Sequence, residues 1–194
     1  MTDFYYFQSK DADGQSLVPV LNLLLPNNAV GAEIGVYKAH TFCTLLQSCP
    51  KISTLYGIDS YKPYADFLKE PYDNIPAYIV DEKEINFVRM LAFHNIEYSG
   101  FKEKAVMMEE DTQTAVLSFE DNSLDFVFLD TYMTLEQAVL DLETWYPKVK
   151  PGGIFSGHDW NSPSSIQIAV NDFREKNKIN STMSTFDNTW MWIK

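Results

Sequence analysis

Five residues able to accept a proton, a hydroxyl group or a cation stand just past short apolar runs of this 194-residue chain. Asp59 follows the run 52–58, and Asp111 follows 104–108 with Glu109 and Glu110 between. Asp130 follows 126–129, and His158-Asp159 follow 154–156. A carboxylate so placed can accept sugar hydroxyls, an imidazole can take a proton near neutral pH, and paired carboxylates can hold a divalent cation. Glu33-Ile34-Gly35, after an apolar run from Ala29, adds a further signal. Glycine lets backbone approach a ligand closely, and a carboxylate beside it suits an amine or hydroxyl but repels a pyrophosphate. The dinucleotide pattern G-x-G-x-x-G is absent, since Gly31 and Gly35 are four apart and Ala39 follows.

The apolar runs 29–36, 52–58, 104–108, 126–129 and 154–156 read as buried strands, so the chemistry falls at their carboxyl ends. Helical spacing fills the gaps: Phe42, Leu45, Leu46 and Cys49, then Ile85, Val88, Ala92 and Ile96, then a short helix over 112–119. Leu135, Ala138, Val139, Leu142 and Tyr146 form another helix, opened by Thr134-Leu135-Glu136-Gln137, which matches a capping box. Ser162-Pro163 opens a last helix through Ile166, Ala169, Val170 and Phe173. Right-handed crossovers make the first two strands parallel neighbours, and the runs 182–186 and 189–193 around Asp187-Asn188 predict an antiparallel hairpin. The expected fold is α/β, a doubly wound seven-stranded sheet, mostly parallel, in one domain over 1–194. Residues 1–28 are its N-terminal extension and helix. Residues 60–98 hold a Tyr- and Pro-rich loop and a helix on the substrate side.

A net charge of −12 and a pI near 4.5 argue against nucleic acid or an anionic membrane as partner, because either needs a basic face. Two cysteines, Cys43 and Cys49, are too few for a disulfide framework. No signal region opens the sequence and no apolar run reaches the ~18–20 residues of a membrane span, so a cytoplasmic location is expected.

Glu33-Ile34-Gly35-Val36, Gly57-Ile58-Asp59, the stretch from Asp125 to Asp130, Pro151-Gly152-Gly153 and His158-Asp159 together resemble the class I S-adenosylmethionine-dependent methyltransferases. More narrowly they resemble the small family with D-x-x-H-x-Y-E after strand four and G-G-x-x-x-x-H-D after strand five, methyltransferase domain 24. The resemblance spans residues 14–194 and implies a Rossmann-like sheet with S-adenosylmethionine as cofactor. It implies that Glu33 and Gly35 border the methionine part, and that Asp59 takes the ribose hydroxyls. Glu110, Asp111 and Thr112 would lie beside the adenine, Asp130 near the amino acid end and the transferred methyl, and His158 and Asp159 toward the acceptor.

The chain departs from that family at Asp130-Thr131-Tyr132-Met133-Thr134-Leu135-Glu136, where Met133 replaces a histidine and can neither take a proton nor bind a hard cation. His158 is then the histidine at the site's edge, read either as proton acceptor or as a strut at a strand end. Asp130 and Asp159 resemble two ligands of metal-dependent catechol-type O-methyltransferases, which raises a Mg²⁺ site. The third ligand's place holds Trp160, which cannot coordinate. The expected activity is methyl transfer to a small-molecule acceptor, at a hydroxyl oxygen, with Tyr64, Tyr132 and Trp160 walling the acceptor pocket. Two rivals stand beside it: a methyltransferase-fold binding protein that does not turn over, and a nicotinamide-dependent oxidoreductase, which the missing glycine pattern disfavours.

Overall fold

The computed structural model describes residues 13–63, 80–131, 134–161 and 165–194. A 3₁₀ turn, Asp13–Leu17, leads into helix α1, Val18–Leu24. Strand β1 (Ala29–Ile34), helix α2 (His40–Ser48) and strand β2 (Ile52–Ile58) form the first strand–helix–strand unit. Helix α3 (Glu82–Tyr98) precedes β3 (Ala105–Met108), and the short α4 (Thr112–Ala115) precedes β4 (Leu124–Leu129). Helix α5 (Leu135–Trp145), β5 (Val149–Gly157) and α6 (Ser165–Lys176) follow, and β6 (Ser184–Phe186) with β7 (Thr189–Ile193) closes the chain.

The seven strands form one sheet in the order β3-β2-β1-β4-β5-β7-β6. β1 pairs in parallel with β2 and β4, β2 with β3, and β4 with β5, while β7 runs antiparallel to β5 and β6. This is the class I methyltransferase topology that the sequence led us to expect. All six residues of β4 are buried, as a strand covered on both faces requires. One core layer packs α2 and α3 on the sheet through Phe42, Leu45, Ile85 and Val88. The other packs α5 and α6 through Leu142, Trp145, Ala169 and Trp192. On α3 the residues picked out by helical spacing, Ile85, Val88, Ala92 and Ile96, are buried together with Asn95, and Asp81 caps the helix by accepting from the amides of Lys83 and Glu84.

One element differs from expectation. Pro151-Gly152-Gly153 does not precede β5 but lies inside it, since β5 starts at Val149. The pairing of β4 with β5 slips between Leu124 and Phe126, and Gly152 takes up the irregularity with φ +81°, a region open to glycine. The extended β5 is anchored by Asp125, whose Oδ1 accepts from Lys150 Nζ at 2.8 Å while its Oδ2 accepts from the Val30 amide at 2.8 Å.

Candidate active site

The parallel strands end together, and each delivers one functional segment to the same edge. At the end of β1, Gly35 has φ +88° and donates its amide to the Ile58 carbonyl at 2.8 Å. A Cβ on this residue would meet the Asp130 carbonyl oxygen at 2.0 Å. Backbone crowding so tight admits no side chain, and the neighbour is main chain that cannot rotate away. Gly35→Ala is therefore expected to destabilise the fold by roughly 2–5 kcal/mol, from left-handed strain plus overpacking, measured by denaturant melting.

Past Gly35 the loop alternates into left-handed backbone at Tyr37 (φ 51°) and Ala39 (φ 61°), and across from it Tyr61 does the same at φ 45°. Asp59 holds these turns. Its Oδ2 accepts from the amides of Val36 at 3.1 Å and Tyr37 at 2.9 Å, and its Oδ1 from the Tyr61 amide at 2.9 Å. Successive amides converging on one carboxylate form an anion-binding nest, filled here by the protein's own aspartate. Burial raises the Asp59 carboxyl above its usual range, against the three amide bonds that lower it. A carboxylate has about four acceptor sites, so three bonds leave Oδ1 open to one further hydroxyl. The Tyr61 hydroxyl ties the two loops together by donating to the Tyr37 carbonyl at 3.0 Å.

At the end of β3, Asp111 caps α4, accepting from the Thr114 amide at 2.9 Å and the Thr114 hydroxyl at 2.7 Å. These bonds hold its carboxyl below the usual range, the hydroxyl contributing most. Thr112 faces inward, and its hydroxyl donates to Asp141 Oδ1 at 2.9 Å while accepting from Trp145 Nε1 at 2.7 Å. Glu109 turns outward to Arg89.

Gly35, Asp59, Glu110, Asp111 and Thr112 thus line one cavity of about 310 Å³, together with Ser60, Lys62, Gln113, Thr131, Gln137 and Asp141. Glu33 is buried within β1 and is not among the residues lining the cavity; its charge acts on Cys43 and Tyr61. Burial pushes the Cys43 thiol up to about 12 and Cys49 to about 11, so neither is a nucleophile at neutral pH.

Sequence reasoning missed Gln113, Gln137 and Asp141. Asp141 is fully buried, and burial lifts its carboxyl to about 6 against hydrogen bonds from Thr112, Gln137 and Gln113. The signal was present: Asp141 falls on the same helical face as Ala138, Leu142 and Trp145, where a charge needs a reason. As the last residue of the capping box, Gln137 is expected to reach back to the cap. Thr134 does cap α5, accepting from the Gln137 amide at 3.2 Å, but the Gln137 side chain reaches Asp141 instead of the cap. A raised carboxyl makes folding favour the protonated form, so its stabilising share is complete below about pH 4 and falls as pH rises through about 6. The loss is on the order of 3 kcal/mol. The difference in stability between the parent and Asp141→Asn, followed by melting across that window, is expected to show this slope.

A second group lies beside the cavity, at the ends of β4 and β5. His158 Nδ1 stands 3.5 Å from Asp130 Oδ1 and 3.4 Å from Asp159 Oδ1. Bonds to the main chain hold Asp130 and His158 in place: the Asp130 amide donates to the Ile34 carbonyl, the His158 amide to the Leu129 carbonyl, and Trp190 Nε1 to the His158 carbonyl. Asp159 has left-handed backbone, φ 61°, and Asn188 Nδ2 from the β6–β7 turn reaches its Oδ1 at 3.3 Å. Of the eight described non-glycine residues with positive φ, Tyr37, Ala39, Tyr61 and Asp159 lie at this edge, where strain marks a built site. One donor atom from each of Asp130, His158 and Asp159 lies within 4.8 Å of the others. Trp160 packs partly buried on the α5–α6 core layer. Tyr64, Tyr132 and Met133 lie outside the described residues.

A family model described as Methyltransferase domain matches residues 32–160, more than half of the chain. The chain belongs to this methyltransferase family. The methyltransferase is S-adenosylmethionine-dependent by that membership. No curated protein matches it significantly. Solved structures share its fold at low identity. A Corynebacterium glutamicum protein is 12% identical with TM-score 0.66, covering 93% of this chain and 79% of its own. The O-methyltransferase NovP is 18% identical with TM-score 0.63, covering 91% and 78%. Cofactor-bound Rv0187 from MTB is 10% identical with TM-score 0.62, covering 100% and 83%. No helix among the described residues is long and apolar enough to cross a membrane.

The cavity's chemistry fits this cofactor. Four carboxylates (Asp59, Glu110, Asp111, Asp141) and one lysine (Lys62) line it, a field that suits a cationic nucleoside sulfonium and opposes a polyphosphate.

Proposed function

We propose that this methyltransferase acts on a hydroxyl oxygen of a small-molecule acceptor, with the Asp130–His158–Asp159 cluster managing the proton that the hydroxyl loses. The observation that carries this reading is that cluster's place, at strand ends directly beside the cofactor cavity. When bound, S-adenosylmethionine supplies a methyl group already activated by positive sulfur. What remains for the protein is to align the acceptor and, for a hydroxyl, to take its proton. A neutral amine carries its lone pair without that help, so an imidazole between two carboxylates favours oxygen chemistry. Asp59 offers Oδ1 to one ribose hydroxyl, Glu110 and Asp111 flank the adenine, and Gly35 lets the methionine part pass close to backbone. Asp130 and Asp159 offset the charge that His158 gains with a proton. The acidic surface supports a small acceptor over nucleic acid. The fold shared with the O-methyltransferase NovP is consistent with the same chemistry.

A second reading is favoured by one observation, the convergence of two carboxylates and an imidazole within 4.8 Å. Asp130, His158 and Asp159 would hold a divalent cation such as Mg²⁺, which would supply Lewis-acid lowering of the hydroxyl's pKa. One assay separates the two. S-adenosylhomocysteine release is followed across phenols, sugars and matched amines, with and without a chelator. Turnover of a hydroxyl substrate is expected. Loss on chelation and recovery with Mg²⁺ assigns the cluster to a cation, whereas insensitivity assigns the proton to His158. Turnover confined to amines contradicts both.

A further inference from the structure

The inner wall of the cofactor cavity carries an arrangement that methyl transfer itself does not use. Asp141 on α5 is fully buried, and its Oδ1 accepts from Thr112 Oγ1 at 2.9 Å, Gln113 Nε2 at 2.8 Å and Gln137 Nε2 at 2.9 Å. The Thr112 hydroxyl has one proton, and it goes to Asp141. An ionised carboxylate only accepts hydrogen bonds, so it dictates which end of each glutamine amide faces it. Without such a partner an amide can present either its nitrogen or its oxygen.

Both glutamines also line the cavity. Gln113 Nε2 places its two protons on Asp141 and, at 3.5 Å, the Thr144 hydroxyl, and Gln137 Nε2 gives one of its two to Asp141, so each amide turns its nitrogen toward that carboxylate and keeps its carbonyl oxygen as the acceptor it can offer a ligand. Glu110 and Asp111, on the same cavity, are acceptors as well.

We propose that Asp141 is a positioning residue that turns the Gln113 and Gln137 amides so that this wall accepts hydrogen bonds, and that it thereby selects an aminopurine over the corresponding oxopurine. This rests on the reading that the cavity holds the adenosyl group of S-adenosylmethionine. An exocyclic amino group donates to such a wall. An oxo group would set oxygen against oxygen and leave buried acceptors unpaired, which sites built for a donor reject strongly. The carboxyl titrates near 6, so at and above neutral pH Asp141 is in the accepting form that the arrangement needs.

The test compares S-adenosylhomocysteine with S-inosylhomocysteine by calorimetric titration above neutral pH, on the parent, Asp141→Asn and Gln137→Met. Asparagine fits the same space but lets each amide turn over, and methionine removes one amide at a half-buried position. The parent is expected to prefer the adenosyl ligand by about 10²-fold or more, and both variants to narrow that ratio by about 10-fold. Should Asp141→Asn fail to melt cooperatively, Gln137→Met carries the test. If the parent binds the adenosyl ligand without preference, or the variants keep the parental ratio, this inference alone falls. If the parent binds neither ligand, the cofactor reading falls and takes the inference with it.

Discussion

His158→Ala is expected to lower kcat by about 10²- to 10⁴-fold, the range that positioned proton transfer contributes. Affinity for S-adenosylhomocysteine should stay within a few-fold. The two effects separate because His158 belongs to the cluster with Asp130 and Asp159, and none of these three is among the residues lining the acidic cavity, which come from the ends of β1, β2, β3 and β4 and from α4 and α5. The protein's fold should survive the change. The His158 backbone is held by its own amide on Leu129 and by Trp190 Nε1 on its carbonyl, and neither bond involves the imidazole. Single-turnover kinetics with calorimetry on the same sample checks both halves. A kcat within about threefold of the parent would make His158 a strut at a strand end, the reading its sequence position left open.

Asp59→Ala is expected to weaken cofactor binding by about 10²- to 10³-fold, from two losses that add. One is the hydroxyl accepted at Oδ1. The other is the nest: the amides of Val36, Tyr37 and Tyr61 lose their acceptor, and the left-handed turns at Tyr37 and Tyr61 lose what holds them. Asp59→Asn separates the losses, since one amide oxygen can still accept from part of the nest. It should fall between parent and alanine in affinity while melting close to the parent. If both variants bind S-adenosylhomocysteine like the parent, Asp59 serves neither role.

The sheet was legible in the sequence because each strand is a buried apolar run and each helix shows one apolar face, signals that local chemistry sets. The edge was legible for the same reason: a polar residue directly after a buried run, as at Asp59, Asp130 and His158, has few other uses. What the sequence hid are pairings across long separations. That Asp59 fills a nest made by the β1 loop depends on how β1 and β2 end in register. Asp141 meets Gln137 one turn away on its own helix, but its other partners, Thr112 and Gln113, come from α4 almost thirty residues back, and only the packing of α5 on α4 brings them together. The bulge at Gly152 was hidden because Pro-Gly-Gly reads as a turn, and only the strand beside it reveals that pairing resumes.

The central claim is that the acidic cavity at the ends of β1, β2 and β3 holds S-adenosylmethionine. Calorimetric titration of the parent with S-adenosylhomocysteine and, separately, with NAD tests it most directly. The account predicts one molecule of S-adenosylhomocysteine bound per chain and no measurable heat from NAD, whose pyrophosphate four lining carboxylates oppose. Saturable binding of NAD with none of S-adenosylhomocysteine would contradict it.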